Sequence, residues 1–259
     1  GLISKKNLEV LLIGDSFAEG SCVNQKDTIA AKLREKNLSA LTLGKSGNGP
    51  LLQLATLVEY GKILKPKSVF WLFYQNDIEN LIIEKNSKIL KNYLYKDFSQ
   101  NLINRQDEID EILKEYYENE LINNKKKIKF NSSLFQILKL YNSRMMFNLI
   151  PKHQNTLPPP IFSEILLKSK KLVESWEGEI FFVYLPVERY FLNEKYQNFD
   201  IVKSIVEDLE IEFIDVHEEA FKNLQNILSI FPLEMHNHYN ENGYSIIGDL
   251  IAEKYNKTK

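Results

Sequence analysis

Ser16 is the residue whose type and position point most directly to chemistry in this sequence. It follows Gly14 and Asp15 immediately after an apolar run that ends at Ile13. A serine hydroxyl becomes a nucleophile when a neighbouring base takes its proton, and backbone N–H groups at the start of a helix can stabilise the resulting oxyanion. The pattern therefore indicates acyl chemistry at Ser16, whereas a turn in which Asp15 or Ser16 only caps a helix is the alternative.

Two further loops carry groups that such chemistry needs. The glycine-rich run 44–50 follows one apolar segment, and Asn76-Asp77 follows the next. Carboxyl ends of parallel strands meet at one edge of a sheet, so a glycine N–H and the Asn76 amide can both donate to one oxyanion there. A flexible turn and an Asx-turn are the alternatives for these two loops.

The base is expected among four histidines. His236 and His238 lie in a loop before the last predicted helix, from which an imidazole can return to the edge that carries Ser16. Imidazole takes the hydroxyl proton and later gives it to the leaving group. Surface or packing positions suit His153 and His217 better.

Five short apolar runs without strict alternation predict buried strands. They are Leu8–Ile13, Ala40–Leu43, Ser68–Tyr74, Glu179–Leu185 and Ile211–Asp215. Helical patterns separate them, which predicts a flavodoxin-like α/β/α sandwich with a five-stranded parallel sheet in the order 2-1-3-4-5. The predicted helices are Thr28–Lys36, Leu51–Leu64, Phe162–Trp176, Asp200–Leu209 and Tyr244–Tyr255.

Residues 84–160 interrupt this alternation and predict a helical insertion within one domain spanning 1–259. The insertion is expected to hold amphipathic helices near Gln106–Glu120 and Ser132–Leu149. It follows the third strand, so it is expected to cover the site as a lid, with aromatic residues such as Tyr93, Tyr95 and Phe98 in its wall. The alternative is that it only extends the fold or forms an oligomer contact.

Composition excludes several classes of protein. The net charge is −2, which argues against nucleic acid as a partner, and no apolar run is long enough to span a membrane. The single cysteine, Cys22, excludes an internal disulfide and a cysteine-based zinc site. Because the chain starts at Gly1 rather than methionine, we expect an N-terminal truncation, which fits an envelope or extracytoplasmic location.

Four elements in this order resemble the SGNH (GDSL-type) hydrolase superfamily. They are Gly14-Asp15-Ser16, Gly47, Asn76-Asp77 and a late histidine before a C-terminal helix. The resemblance implies Ser16 as nucleophile, an oxyanion hole formed by Ser16, Gly47 and Asn76, and a histidine base. The run 48–50 and the helix after it resemble a bacterial envelope-associated subset.

The late motif selects His238, because His-Tyr-Asn-x-x-Gly-Tyr resembles the family's run from the catalytic histidine into the last helix. His236 is expected to line the pocket instead. Together with Glu234, the two histidines also allow a metal-site hypothesis, but no further ligand motif supports it. We therefore expect neither a metal nor a cofactor.

The sequence departs from the family pattern at two places. Tyr74 stands where the family usually has glycine, and Met235 stands where it usually has the aspartate that orients His238. Glu234 is the nearest upstream carboxylate and the first candidate for that orienting acid. A backbone carbonyl, which would leave a Ser-His dyad, and Asp215 are the alternatives.

The resemblance implies a serine esterase that acts on a small-molecule or glycan ester. An O-acyltransferase for an envelope polysaccharide would use the same residues, and a binding module that has lost its catalytic acid would keep the fold.

Overall fold

The computed structural model describes residues 8–95, 97–128, 156–186, 198–235 and 238–257. The chain divides into two compact units, one formed by residues 1–99 and 156–259 and the other by residues 100–155. The first unit contains the sheet and every predicted site residue. The second unit lies inside the span that the sequence assigns to an insertion, and its described helix begins at Gln106 as predicted.

The first unit is built on five parallel strands. They are Val10–Ile13 (β1), Ala40–Thr42 (β2), Ser68–Phe73 (β3), Glu179–Tyr184 (β4) and Glu212–Asp215 (β5). Their order is β2-β1-β3-β4-β5, which confirms the predicted topology. Each strand lies inside its predicted run, so the sequence located all five.

Helices cover both faces of this sheet. Among the described residues the α-helices are, in order, Ser16–Glu19 (α1), Ile29–Glu35 (α2), Pro50–Thr56 (α3), Lys62–Leu64 (α4), Asn76–Glu84 (α5), Lys88–Asn92 (α6), Gln106–Ile128 (α7), Ile161–Glu174 (α8), Phe199–Asp208 (α9) and Glu241–Lys257 (α10). A π-helical turn, Leu57–Gly61, joins α3 to α4 and interrupts the single helix predicted there. The predicted helix Ser132–Leu149 lies outside the described residues.

The strand sequences are continuous apolar runs because both faces of the sheet are buried. Along β1, Val10 and Leu12 pack into the cluster with α2 and α10, whereas Leu11 and Ile13 pack into the cluster with α3, α5, α8 and α9. All four side chains are fully buried. The parallel strands consequently point their carboxyl ends, and the loops that follow them, to one edge.

Tyr93 does not belong to an exposed wall of the site. Its side chain is 1% exposed, and its hydroxyl donates a hydrogen bond of 2.7 Å to Glu59 Oε1. Phe98 packs edge-on against the Tyr93 ring, with 4.9 Å between the ring centroids. These aromatic residues therefore extend the core beside α3.

Within the part of the chain that the structure describes, no helix is both long and apolar enough to cross a membrane.

Candidate active site

Ser16 is the first residue of α1 and follows β1 after only two residues. Gly14 makes this abrupt turn possible, because its φ is +151° and a Cβ there would lie 2.6 Å from the carbonyl oxygen of Leu72. Asp15 caps the helix, since its Oδ1 accepts from the Phe17 N–H at 3.0 Å. The turn thereby places the Ser16 hydroxyl beyond the carboxyl end of β1.

His238 reaches this hydroxyl from the other end of the sequence. Its Nε2 lies 2.7 Å from Ser16 Oγ. The imidazole packs against the Phe17 ring, with 4.6 Å between the ring centroids. This distance is that of a strong hydrogen bond, so the two groups are placed for direct proton transfer.

The two residues after His238 anchor the loop that carries it. Tyr239 is fully buried, and its hydroxyl donates to the carbonyl of Pro186 at 2.7 Å. Burial raises the pKa of Tyr239 well above its usual value, so the hydroxyl stays a donor. The Asn240 side chain accepts from the N–H groups of Asn242 and Gly243 at 3.1 Å and caps α10. The His-Tyr-Asn-x-x-Gly pattern thus consists of a histidine followed by two anchoring residues.

Asn76 is connected to Ser16 through the carboxylate of Asp15. Asp15 Oδ2 accepts from Asn76 Nδ2 at 3.1 Å and lies 3.2 Å from Ser16 Oγ. Asp15 is fully buried, so these hydrogen bonds stabilise a carboxylate that has left water. An amide nitrogen carries two hydrogens, and this hydrogen bond uses one of them.

Asp77 holds the start of α5 rather than facing the hydroxyl. Its Oδ2 accepts from the Tyr74 N–H at 3.0 Å, and its Oδ1 accepts from Gln53 Nε2 at 2.9 Å. Burial, and then the negative charge of Asp15, raise the pKa of Asp77 well above its usual value. Because the donor lies three residues before Asp77, this contact is of the capping-box type and is not the Asx-turn given as the alternative for this position.

Gly47 lies in the exposed loop between β2 and α3, with a φ of +84°. The loop is attached to α1 just before Gly47. Glu19 Oε1 lies 2.6 Å from Lys45 Nζ, and Glu19 Oε2 accepts from the Ser46 N–H at 2.8 Å. The hydrogen bond from Lys45 is the main cause that lowers the pKa of Glu19 to about 2.

The structure gives the candidate orienting acids other hydrogen bonds. Glu234 lies in an exposed turn, and its Oε1 accepts from Asn226 Nδ2 at 3.0 Å. Asp215, at the end of β5, accepts from the His217 N–H at 3.0 Å. His236 lies outside the described residues. Ser16, His238 and Asn76 are therefore brought together, whereas the role of Glu234 stays a prediction.

Sequence reasoning did not assign the residues that hold these groups in place. Asp15 was expected only as a helix cap, although it also bonds Asn76, and the loop contact of Glu19 was not expected. Neither contact has a sequence signal, because each joins segments that are distant along the chain.

Known structures share this architecture. One is a protein assigned to the lipolytic G-D-S-L family from Desulfitobacterium hafniense DCB-2, with a TM-score of 0.53, 13% identity, and coverage of 95% of this chain and 99% of that one. Another is a GDSL-like lipase from Bacteroides thetaiotaomicron VPI-5482, with a TM-score of 0.52, 13% identity, and coverage of 100% and 93%. A third is an acetyl xylan esterase, with a TM-score of 0.50, 10% identity, and coverage of 95% and 98%.

The chain has the fold of the GDSL-type (SGNH) hydrolases. No family model and no curated protein matches the sequence, so the likeness rests on structure. The resemblance predicted from four short motifs is confirmed at the level of fold. Membership of an envelope-associated subset of GDSL-type proteins stays a prediction.

The contact between Glu19 and the loop predicts a pH-dependent contribution to stability. The folded pKa of about 2 lies below the ordinary glutamate value of 4.5, so the contribution is complete above pH 4.5 and is lost as the pH falls towards 2. Glu19→Gln should lower the free energy of unfolding at pH 7 by at most about 1 kcal/mol, because the pair is partly exposed. The difference from wild type should shrink between pH 4.5 and 2.

Urea unfolding of both proteins across this pH range measures the effect. In a Lys45→Met background, Glu19→Gln should lower the free energy of unfolding by less, because the hydrogen bond from Lys45, the largest cause of the lowered Glu19 pKa, is gone. A difference that stays constant with pH would contradict the role of this ion pair.

Proposed function

We propose that this protein hydrolyses carboxylic esters through an acyl-enzyme formed on Ser16. The observation that carries the proposal is the 2.7 Å distance between Ser16 Oγ and His238 Nε2. The hydroxyl and the imidazole come from opposite ends of the chain, and a hydrogen bond between them serves nucleophilic catalysis directly. The shared GDSL-type fold supports the same activity.

In the proposed acylation step, His238 Nε2 takes the proton of Ser16 as Oγ attacks the carbonyl carbon. The carbonyl oxygen becomes an oxyanion, which the Ser16 N–H, the Gly47 N–H and the Asn76 amide stabilise by donating hydrogen bonds. The bond between the carbonyl carbon and the alcohol oxygen then breaks, and His238 returns its proton to the departing alcohol. The acyl group remains as an ester on Ser16.

In the deacylation step, water attacks the acyl-Ser16 carbonyl while His238 takes one of the protons of that water. The oxyanion forms again and collapses, the bond to Ser16 Oγ breaks, and the proton returns from His238 to Ser16. The carboxylic acid leaves. These steps use water and groups of the chain alone.

We further propose a carbohydrate ester as the substrate class. An acetyl xylan esterase among the structures that share the fold supports this proposal. A sugar hydroxyl that reaches the acyl-enzyme in place of water would make the protein an O-acyltransferase. Comparing acetate release with acetyl transfer, when a soluble oligosaccharide acceptor is added to an aryl acetate assay, separates the two.

Removal of either member of the pair should abolish turnover of an aryl acetate. Ser16→Ala and His238→Ala should each lose at least about 10³-fold in kcat, since a nucleophile and its base act as a unit. Ser204→Ala, at an exposed position of α9, and His217→Ala are matched controls of the same residue types and should keep the wild-type rate. Wild-type turnover in Ser16→Ala would exclude the acyl-serine mechanism.

A fluorophosphonate probe tests the alternative of a binding module. The wild-type protein should be labelled on Ser16, and His238→Ala should be labelled far more slowly. Absence of labelling at high probe concentration would favour a protein that keeps the fold without the activity.

Glu234 is proposed as the acid that orients His238. A carboxylate that fixes the histidine tautomer and stabilises the imidazolium is worth up to about 10⁴ in kcat. Glu234→Gln should therefore reduce kcat severely while the fold survives, even though the carboxylate bonds Asn226 in this structure. Measuring Asp215→Asn beside it separates the candidates. A large loss only in Asp215→Asn would move the role to β5, and no loss in either would indicate a Ser16–His238 dyad.

A further inference from the structure

A buried carboxylate connects the end of α5 to the beginning of α3. Glu84 is the last residue of α5 and is 7% exposed. Its Oε1 accepts from the Gly49 N–H at 2.6 Å, and its Oε2 accepts from the N–H groups of Leu51 and Leu52 at 2.9 and 3.4 Å. These are the N–H groups that a helix leaves unsatisfied at its start, so Glu84 caps α3 from a neighbouring helix.

A second buried contact joins the same two helices near the other end of α5. Gln53 of α3 donates through Nε2 to Asp77 Oδ1 at 2.9 Å and to the carbonyl of Asn48 at 2.8 Å. Asp77 directly follows Asn76, the proposed amide donor. The loop 44–49 is thus attached to both ends of the helix that carries Asn76.

We propose that Glu84 is a positioning residue that sets the Gly47 N–H relative to the Asn76 amide. Gly47 lies between Ser46, whose N–H is bonded to Glu19 at 2.8 Å, and Gly49, whose N–H is bonded to Glu84. Only Gly47 and Asn48 separate the two anchors, so a shift at either anchor moves the Gly47 N–H. The inference rests on the proposed function, since it concerns the oxyanion hole of that reaction.

Gly49 is fitted to the carboxylate. Its φ of −89° is ordinary for any residue, yet a Cβ there would lie 2.7 Å from Glu84 Oε2 and 2.8 Å from Asn80 Cβ. Glycine is therefore required by the close approach of Glu84 and not by backbone conformation. Gly49→Ala would force the loop and the Glu84 carboxylate apart while keeping the charge of Glu84 in the chain.

Glu84→Gln disturbs the same hydrogen bonds by changing the acceptor rather than the loop. Both carboxylate oxygens accept hydrogen bonds, so the NH2 group of a glutamine must face an N–H donor whichever way the amide is turned. Burial raises the pKa of Glu84, and the three N–H donors oppose that rise. The two variants thus disturb one contact by independent means.

Both variants should reduce kcat for an aryl acetate by about 10- to 100-fold, because displacing an oxyanion donor weakens the transition state. KM should stay within about twofold, since the donors act on the oxyanion. Glu59→Gln is the matched control, because Glu59 is also buried and accepts from the hydroxyls of Tyr93 and Ser99 at 2.7 and 2.9 Å. It should keep the wild-type kcat at a temperature where all variants are folded.

Amide hydrogen exchange of residues 46–52 gives a readout independent of turnover. Exchange there should rise in Glu84→Gln and Gly49→Ala and stay unchanged in Glu59→Gln. If Glu84→Gln does not fold, Gly49→Ala carries both measurements.

Ser16→Ala in the same assay separates the positioning role of Glu84 from the proposed acyl-serine mechanism. Turnover lost in Ser16→Ala but unchanged in Glu84→Gln and Gly49→Ala overturns the positioning role alone. Equal losses in Glu59→Gln also overturn it, because the effect would then follow any buried glutamate. Turnover that survives Ser16→Ala overturns the proposed function and with it the catalytic part of this inference.

Discussion

The site depends on a buried carboxylate at the end of β1. Asp15 is wholly buried; it accepts from the N–H of Phe17 and the amide of Asn76, and its Oδ2 lies 3.2 Å from the Ser16 Oγ. A carboxylate removed from water needs such donors, because an unpaired one is costly in the interior. One charged group thereby holds the start of α1, the nucleophile and the first residue of α5 in a single arrangement.

The other polar groups near Asp15 are arranged around this charge. Burial, followed by the charge of Asp15, raises the pKa of Asp77 above its usual value, whereas the hydrogen bonds from Tyr74 and Gln53 oppose that rise. Burial likewise raises the pKa of Tyr244, which keeps its hydroxyl as a donor to the Ser21 carbonyl at 3.1 Å.

The sequence predicts most of the fold because burial on both sides of a parallel sheet leaves a continuous apolar pattern in each strand. It also predicts the meeting of Ser16 and His238, since residues after strand ends share one edge and the last loop returns to it. The helix that begins at Asn76 was not predicted, because Gln-Asn-Asp is typical of a turn. The backbone N–H of Asp77 donates to the carbonyl of Tyr74 at 2.9 Å, so a turn and the start of the helix coincide there.

Contacts between distant segments are what sequence patterns do not reveal. Glu84 and Gly49 are far apart along the chain, and a glutamate at the end of an amphipathic helix is normally solvated. Tyr93 is an aromatic residue in the predicted insertion, which is why the sequence suggests a pocket wall. Its packing against Phe98 and its hydrogen bond to Glu59 instead place it in the core. Such outcomes follow from how helices pack, which local periodicity does not specify.

The central claim is that Ser16 carries the acyl group during turnover. The most direct measurement is acid quenching of the enzyme within milliseconds of mixing with an excess of an aryl ester, followed by mass spectrometry of the proteolytic peptides. The account predicts that the peptide containing Ser16 gains the mass of the acyl group during turnover and that Ser16→Ala shows no acylated peptide. Turnover with an unmodified Ser16 peptide at every quench time, or acylation of another residue, would contradict it.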